Sequence, residues 1–259
     1  MSSIVGIYTS AVRANLKPLF ANWEPGKPVE LGDYGLLSGD VFVHIGNVGD
    51  LGIKFSVRND SSSDRKYFAS ARSTEVRLNA KGATNLSSVL SAKATLEIHF
   101  GSKEGVFFNA AECQFSMIQD KAEIGREIML RYKSGDWDRG WAVVTDLVRT
   151  GAATIAVSGG DQASVVFEAT GNVEKINLAD ASIGLSVAAQ KNVGYVVEAE
   201  KGIVPLIGLS KIQSTFLWFG DSYKPLSAAC DEKILSTMRR SPGIRTEESP
   251  ADLYFGQLK

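Results

Sequence analysis

From residue 51 the chain settles into a period of two. Leu51, Ile53, Phe55 and Val57 fall on one side, and Gly52, Lys54, Ser56 and Arg58 on the other. Residues 59–63 form a polar turn cluster. Thr74, Val76, Leu78 and Ala80 then alternate with Glu75, Arg77 and Asn79; Ala94, Leu96, Ile98 and Phe100 alternate with Lys93, Thr95, Glu97 and His99. Successive side chains of a strand point to opposite faces, so the pattern predicts a meander of half-buried antiparallel strands at 51–57, 74–80 and 93–100. Residues 107–115 are more uniformly apolar and predict a more deeply buried strand.

Between 118 and 133 the period lengthens. Ile124 and Ile128 lie four apart, which predicts a helix ended by Gly135. Gly125 within it weakens that helix by about 1 kcal/mol relative to Ala. Strands follow at 141–149, 152–158 and 163–170. Thr150-Gly151 and Gly159-Gly160-Asp161 between them suit tight turns. Neither face of 141–148 is strongly charged. Further strands are predicted at 176–178, 183–189, 193–199, 203–209 and 212–219, and a helix at 226–240. At the other end, Val5, Tyr8, Val12 and Leu16 recur at helical spacing, which leaves a short helix or a strand open before Pro18. Residues 23–33 are turn-rich, and 36–48 are a mixed apolar run. Pro242, Gly243 and Pro250 argue against regular structure in most of 241–259, yet Leu253, Tyr254, Phe255 and Leu258 cluster there. They read either as a tail docking its tip on the body or as an ordinary last strand. The fold class expected is α+β: a twisted, largely antiparallel central sheet with peripheral helices, residues 1–240 as one body and 241–259 as its tail.

Composition narrows the chemistry. The chain has 259 residues, 44% hydrophobic and 22% charged, with formal net charge -1. That balance fits a globular chain and offers no basic footprint for nucleic acid. Two cysteines, Cys113 and Cys230, cannot staple a secreted scaffold; Cys113 reads as a buried thiol and Cys230 as a helix-packing residue, with a disulfide between them left open. The histidines, His44 and His99, sit in no H-x-x-x-H spacing, and no C-x-x-C or G-x-S-x-G occurs. Asp33, Asp40, Asp136, Asp138 and Asp146 are the candidate acids for an enzyme. Solvated loop carboxylates are the plainer reading, so no catalysis, cofactor or metal is expected. The first residues lack the charged and apolar regions of a secretory signal, and Ser2 stands where myristoylation needs Gly. No apolar run reaches 18 residues, so a cytoplasmic location is expected.

The order of elements carries a resemblance. A helix-like N-terminal segment leads to an antiparallel sheet, then a helix, then W-x-V-V-T-x-x-V at Trp141, Val143, Val144, Thr145 and Val148, and then INLADASIGLSVAAQKNVGYVV. Over about residues 50–210 this resembles the pore-forming domain of the gasdermin family, including its compact bacterial members. The resemblance implies an inactive cytoplasmic monomer held closed by a short C-terminal segment. An activating protease, caspase-like or trypsin-like, removes that segment. The body then self-oligomerises and inserts β-hairpins into membrane lipid at the cell inner membrane, killing a phage-infected cell. The chain departs from the family where bacterial members often carry a lipidated cysteine near the N-terminus.

On that reading Leu253, Tyr254, Phe255 and Leu258 make the autoinhibitory contact, and Arg239, Arg240 and Arg245 mark the cleavage region. The candidate membrane-inserting strands carry Ile53, Phe55, Val76, Leu78, Leu96, Ile98, Val143, Leu147, Ile155 and Val157. The alternative is a non-enzymatic β-rich binding or scaffold module, with Trp23, Trp218 and Phe219 as anchors.

Overall fold

The computed structural model describes residues 3–70, 74–79, 94–169, 185–200, 202–214 and 253–259. Among them are two helices and fifteen strands, and every strand pairing is antiparallel. Helix α1 (Ile4–Asn15) is followed by β1 (Phe20–Ala21), β2 (Asp33–Ser38), β3 (Val41–Asn47), β4 (Val57–Asn59) and β5 (Asp64–Ala69). Then come β6 (Thr74–Asn79), β7 (Thr95–Phe100), the long β8 (Val106–Ile118) and helix α2 (Lys121–Ser134). The last strands are β9 (Trp141–Arg149), β10 (Ala152–Ser158), β11 (Ala163–Ala169), β12 (Leu185–Lys191), β13 (Val193–Glu200), β14 (Leu206–Ser214) and β15 (Leu253–Gln257). The molecule is therefore mixed but strongly β-dominated.

Both helices begin and end for local reasons. The Ser3 hydroxyl accepts from the Gly6 N–H at the start of α1, and the Asp120 carboxylate accepts from Ala122 and Glu123 at the start of α2. Such caps satisfy donors that the first turn leaves unpaired. Gly135 closes α2 at φ 86, where a side chain would be strained. Tyr8 and Val12 of α1 bury against Phe108 and Ile155, while Ile124 and Ile128 of α2 bury against β9 and β14.

Strand β8 is the spine. Its first half pairs with β10 on one edge and β5 on the other; its second half pairs with β9 and β4. Strands β9 and β10 thus lie in line along one edge of β8, and the hairpin expected across Thr150-Gly151 does not form. The Thr150 hydroxyl donates to the Ala111 carbonyl at 2.7 Å and pins the joint to β8 instead. Both strands are buried along almost their whole length. The weak charge on either face of 141–148 records two-sided burial rather than an amphipathic surface.

Residues 51–56 are not a strand. Gly52 has φ 80, and the Leu51 and Ile53 N–H groups both donate to the Val48 carbonyl. This turn is tied to α2 by Arg131, which donates to the Leu51 carbonyl. Its alternating apolar side chains, Leu51, Ile53 and Phe55, plug the α2 core from a loop. The break predicted between strands at 203–209 and 212–219 does not occur: β14 runs unbroken through 210–211 to Ser214, and residues 215–219 lie outside the described residues. Ile118 ends β8 rather than starting the helix. The predictions at 176–178 and 226–240 lie outside the described residues.

Cys113 is fully buried in the core under α1, with its thiol free and 3.3 Å from the Ala110 carbonyl. Burial pushes its pKa up. The fold disfavours the thiolate, so this group's stabilising contribution is complete below the unfolded thiol's ordinary value and is lost as pH rises beyond it. In a Cys230→Ser protein, a thiol reagent at pH 7 to 8 should react with Cys113 only under denaturant; rapid reaction of the native protein would contradict this placement.

Candidate functional site

Strand β14 is flanked along one edge by β9. Its other edge is divided: β1 covers Leu206 and Ile207, and β15 covers Ser210 to Ser214. The tip of the tail is thus a short edge strand that completes the sheet. Leu253, Phe255 and Leu258 pack onto the core built around α2, beside Ile124 and Ile128. Room for Phe255 comes from Gly125, where an added Cβ would lie 3.1 Å from the Phe255 side chain. Tyr254 falls on the opposite face by alternation and is half-buried, and burial raises its phenol pKa. Of the four tail residues read from the sequence, Leu253, Phe255 and Leu258 meet the α2 core and Tyr254 faces the other way.

The seat is reinforced from three sides. The Gln213 amide donates to the Gly256 and Gln257 carbonyls at 2.8 and 3.1 Å, and the Leu258 N–H donates to Leu209 at 2.8 Å. Arg13 of α1 lies 3.8 Å from the Phe20 ring centroid and donates to the Pro18, Leu19 and Lys259 carbonyls. Beneath, Lys121 at the start of α2 donates to both Asp146 oxygens at 2.7 Å. Asp146 also accepts from the Thr145 hydroxyl, which sits 2.9 Å from Ser210. Gly208 makes room for this carboxylate, since a Cβ there would lie 2.6 Å from Asp146 Oδ2. Charge-assisted bonds of this kind fix α2 against β9 and so shape the surface that Phe255 meets.

The second feature is a separate four-stranded sheet in the order β12-β11-β7-β6. Its cross-strand pairs sort by chemistry except past a bulge between Val166 and Phe167, where Val165 meets Gln190 and Val166 meets Ala189. Val76 meets Ile98, Leu78 meets Leu96, Val165 meets Ile98, Phe167 meets Leu96 and Val187. That face packs on Phe107 of β8 and Ala156 of β10, except at Leu78 on the outer strand, which is exposed. The other face carries Glu75, Arg77, Glu97, His99 and Glu168. Arg77 donates to Glu75 at 2.8 Å, which lowers the Glu75 pKa and raises that of Arg77. Each outer pair of strands, β6 with β7 and β11 with β12, is consecutive in the chain.

No protein-family model matches this chain, and no curated protein matches it. The site must be read from its own residues.

Of the strand residues singled out by alternation, Val76, Leu78, Leu96 and Ile98 come together in the four-stranded sheet. Val143, Leu147, Ile155 and Val157 belong to the buried strands β9 and β10, and Ile53 and Phe55 to the loop at 51–56. Strands β11 and β12 were not among the candidates for insertion. The signal was present in Ala163, Val165, Phe167 and Ala169 alternating with Ser164, Val166 and Glu168. Arg239, Arg240, Arg245, Trp218 and Phe219 lie outside the described residues.

The candidate acids have structural partners. Asp33 accepts from the Glu30 N–H and the Asn47 amide, and Asp40 lies 3.9 Å from Arg13. Asp136 accepts from the Ser134 hydroxyl and Asp138 from the Gly140 N–H. Among the described residues no cluster of three metal-ligating side chains occurs, and no helix is long and apolar enough to cross a membrane. Trp23 is half-buried against Tyr8 and Tyr195, with ring centroids 5.9 and 4.9 Å away. It borders a groove of about 940 Å³ that also touches Lys27 and Glu198.

Proposed function

We propose that this chain is a pore-forming protein held closed by its C-terminal tail and released by proteolysis between the body and β15. The observation that carries the reading is the sorting of side chains across the four-stranded sheet. A membrane β-barrel needs strands with an apolar lipid face and a polar lumen face, closed so that no backbone group is left unpaired in lipid. Strands β6 and β7 have that sorting already; β11 and β12 have it over Phe167–Ala169 and Leu185–Val187 and lose it past the bulge, where Val165 meets Gln190. They are two consecutive pairs, which is how hairpins insert. In sequence the period of β7 reaches back through Ala94, Ala92 and Leu90, towards the roughly 9–11 residues that a spanning strand needs.

The tail supports the same reading independently. A short strand that covers an edge and plugs a helix-lined seat is easily lost once its tether is cut, because tethering alone gives it a high effective concentration. Pro242 to Pro250 supply a stretch ill-suited to regular structure, with Arg239, Arg240 and Arg245 for a trypsin-like activator. In this account the partners are that protease, membrane lipid and further copies of the chain. The resting protein is cytoplasmic and the active one lies in the inner membrane. The chain has no catalytic role and no cofactor, and by resemblance to the gasdermins it serves cell death in antiphage defence.

Leu78→Lys separates this from an ordinary sheet. Leu78 is 47% exposed in the resting fold, so a lysine there leaves the body intact. At a bilayer midplane the same lysine costs about 2–4 kcal/mol per copy. The cut variant should fold normally, by circular dichroism and melting, and release vesicle dye at least tenfold more slowly than the cut parent. Equal release would remove these strands from the membrane.

The binding-module reading rests on the groove at Trp23 and Tyr195. Beneath it the Tyr8 hydroxyl is buried with no hydrogen-bond partner among the described residues, and burial raises its pKa. A groove with aromatic walls fits a small ligand or peptide.

A further inference from the structure

We propose that the groove beside Trp23 and Tyr195 binds a primary ammonium group, carried by a small free amine or by an aminated lipid headgroup. The inference rests on the groove alone and holds whether or not the chain forms pores.

The first ground is where the groove sits and what holds it open. Strand β13 lies along β10 as β14 lies along β9, so β13 and β14 share one line. Strand β1 covers the start of β14, but among the described residues no strand covers the matching edge of β13. Past Ala21 the chain turns away from that edge. The buried Asn22 amide donates to the Lys27 and Val204 carbonyls, both at 2.9 Å, and the Lys27 N–H donates to Glu24 at 2.8 Å. The loop 22–27 is thus fixed from within. It holds Trp23, Glu24 and Lys27 across from Tyr195 and Glu198 of β13. The groove of about 940 Å³ between them is within the roughly 300–1,000 Å³ of small-ligand sites.

The second ground is the chemistry of the lining. The Trp23 and Tyr195 rings, with centroids 4.9 Å apart, form one aromatic wall, and both are half-buried. Glu24, Glu198 and Lys27 are exposed, and among the described residues none of them is in an ion pair. Two carboxylates against one ammonium leave the groove negative. Ring faces attract cations too, so wall and charge favour the same ligand. An anion would meet the two carboxylates, and a neutral ligand would draw nothing from them.

The third ground is the Tyr8 hydroxyl, which is fully buried and has no hydrogen-bond partner among the described residues. Buried polar groups are nearly always paired. The Tyr8 ring lies 5.9 Å from that of Trp23, and its phenol is close enough to Tyr195 to feel it electrostatically. The unpaired oxygen therefore lies at the foot of the aromatic wall. A hydroxyl accepts from an N–H, which a primary ammonium offers and a quaternary one lacks.

The test uses the uncut full chain without lipid, at pH 7 in sodium phosphate. Propylammonium chloride is titrated in and followed by the Trp23 indole signal in NMR spectra. Binding should saturate. Neutral 1-butanol and propyltrimethylammonium should each bind at least tenfold more weakly. Two exposed changes should act with opposite sign: Glu198→Gln weakens propylammonium binding at least twofold, and Lys27→Gln tightens it at least twofold. Tyr8→Phe keeps the ring, so it should leave the melting temperature of the free protein unchanged or higher while weakening binding at least fivefold. A titration that does not saturate, butanol binding as tightly as propylammonium, or Glu198→Gln and Lys27→Gln shifting affinity in the same direction would overturn the inference. Parental affinity in Tyr8→Phe would overturn the role of the hydroxyl. A second arm separates the sources. Flotation of the uncut protein with phosphatidylethanolamine vesicles, competed by propylammonium, would support a headgroup; saturable propylammonium binding without flotation would support a free amine.

Discussion

Gly125→Leu should open the protein without any cut. Gly125 is a buried helical position facing Phe255, and even one added carbon would sit 3.1 Å from that ring's side chain. A leucine cannot share the space. Helix α2 itself gains, since leucine is the better helix former by about 0.8–1 kcal/mol. The tail loses the apolar burial of Phe255, worth about 1.5–3 kcal/mol, and with it the geometry of a five-residue ladder. The two effects have opposite sign and are separable. Amide exchange should speed up across 253–257 and remain slow across α2. The uncut variant should release vesicle dye at a rate approaching that of the cut parent. Gly125→Ala should behave in the same sense but weakly, because a neighbour need yield only a few tenths of an ångström. A Gly125→Leu protein that keeps its tail protected would show that Phe255 does not depend on the seat described here.

Phe108→Ala should be the most damaging single change to the body. Phe108 stacks on Phe68 with centroids 5.3 Å apart and planes within 5°. It is opposed by Phe68 on β5 and by Ile155 on β10, and Tyr8 of α1 lies over it at 6.5 Å. The side chain is fully buried at the point where β5, β8, β10 and α1 meet. Truncation of a buried phenylalanine costs about 3–5 kcal/mol, the lost transfer energy plus the cavity left behind. Urea unfolding of the uncut protein should show that loss. The same substitution at Tyr67, which is exposed, should cost far less. Similar losses at the two positions would contradict the spine.

Some of this was legible in the residues and some was not. Helix α2 announces itself through the spacing of Ile124 and Ile128 and through Gly135, whereas its start at the Asp120 cap does not follow from that spacing. Strands β9, β10 and β11 appear within a residue of their observed bounds because apolar or alternating runs bounded by Gly leave little choice. Their partners were not legible. Thr150-Gly151 has the composition of a tight turn, yet one hydroxyl bond to Ala111, thirty-nine residues away, holds the chain straight along β8. Alternation at 51–57 was equally misleading, since a loop with Gly52 at positive φ can send alternate side chains into a core. Strand β5 escaped notice because in DRKYFA only Phe68 is buried. The tail was visible as an apolar cluster, but the strand that receives it is chosen by Gly125 and Gln213, which carry no local sign of that role.

Vesicle leakage tests the central claim most directly. The full-length protein, carrying a specific protease site within 241–250, is added to dye-loaded vesicles of anionic and of neutral lipid, with and without prior cutting. The account predicts no release from the uncut protein and rapid release from the cut one, with the cut body still folded before lipid is added. Equal release from both forms, or none from a folded cut body on either lipid, would contradict a pore held shut by its tail.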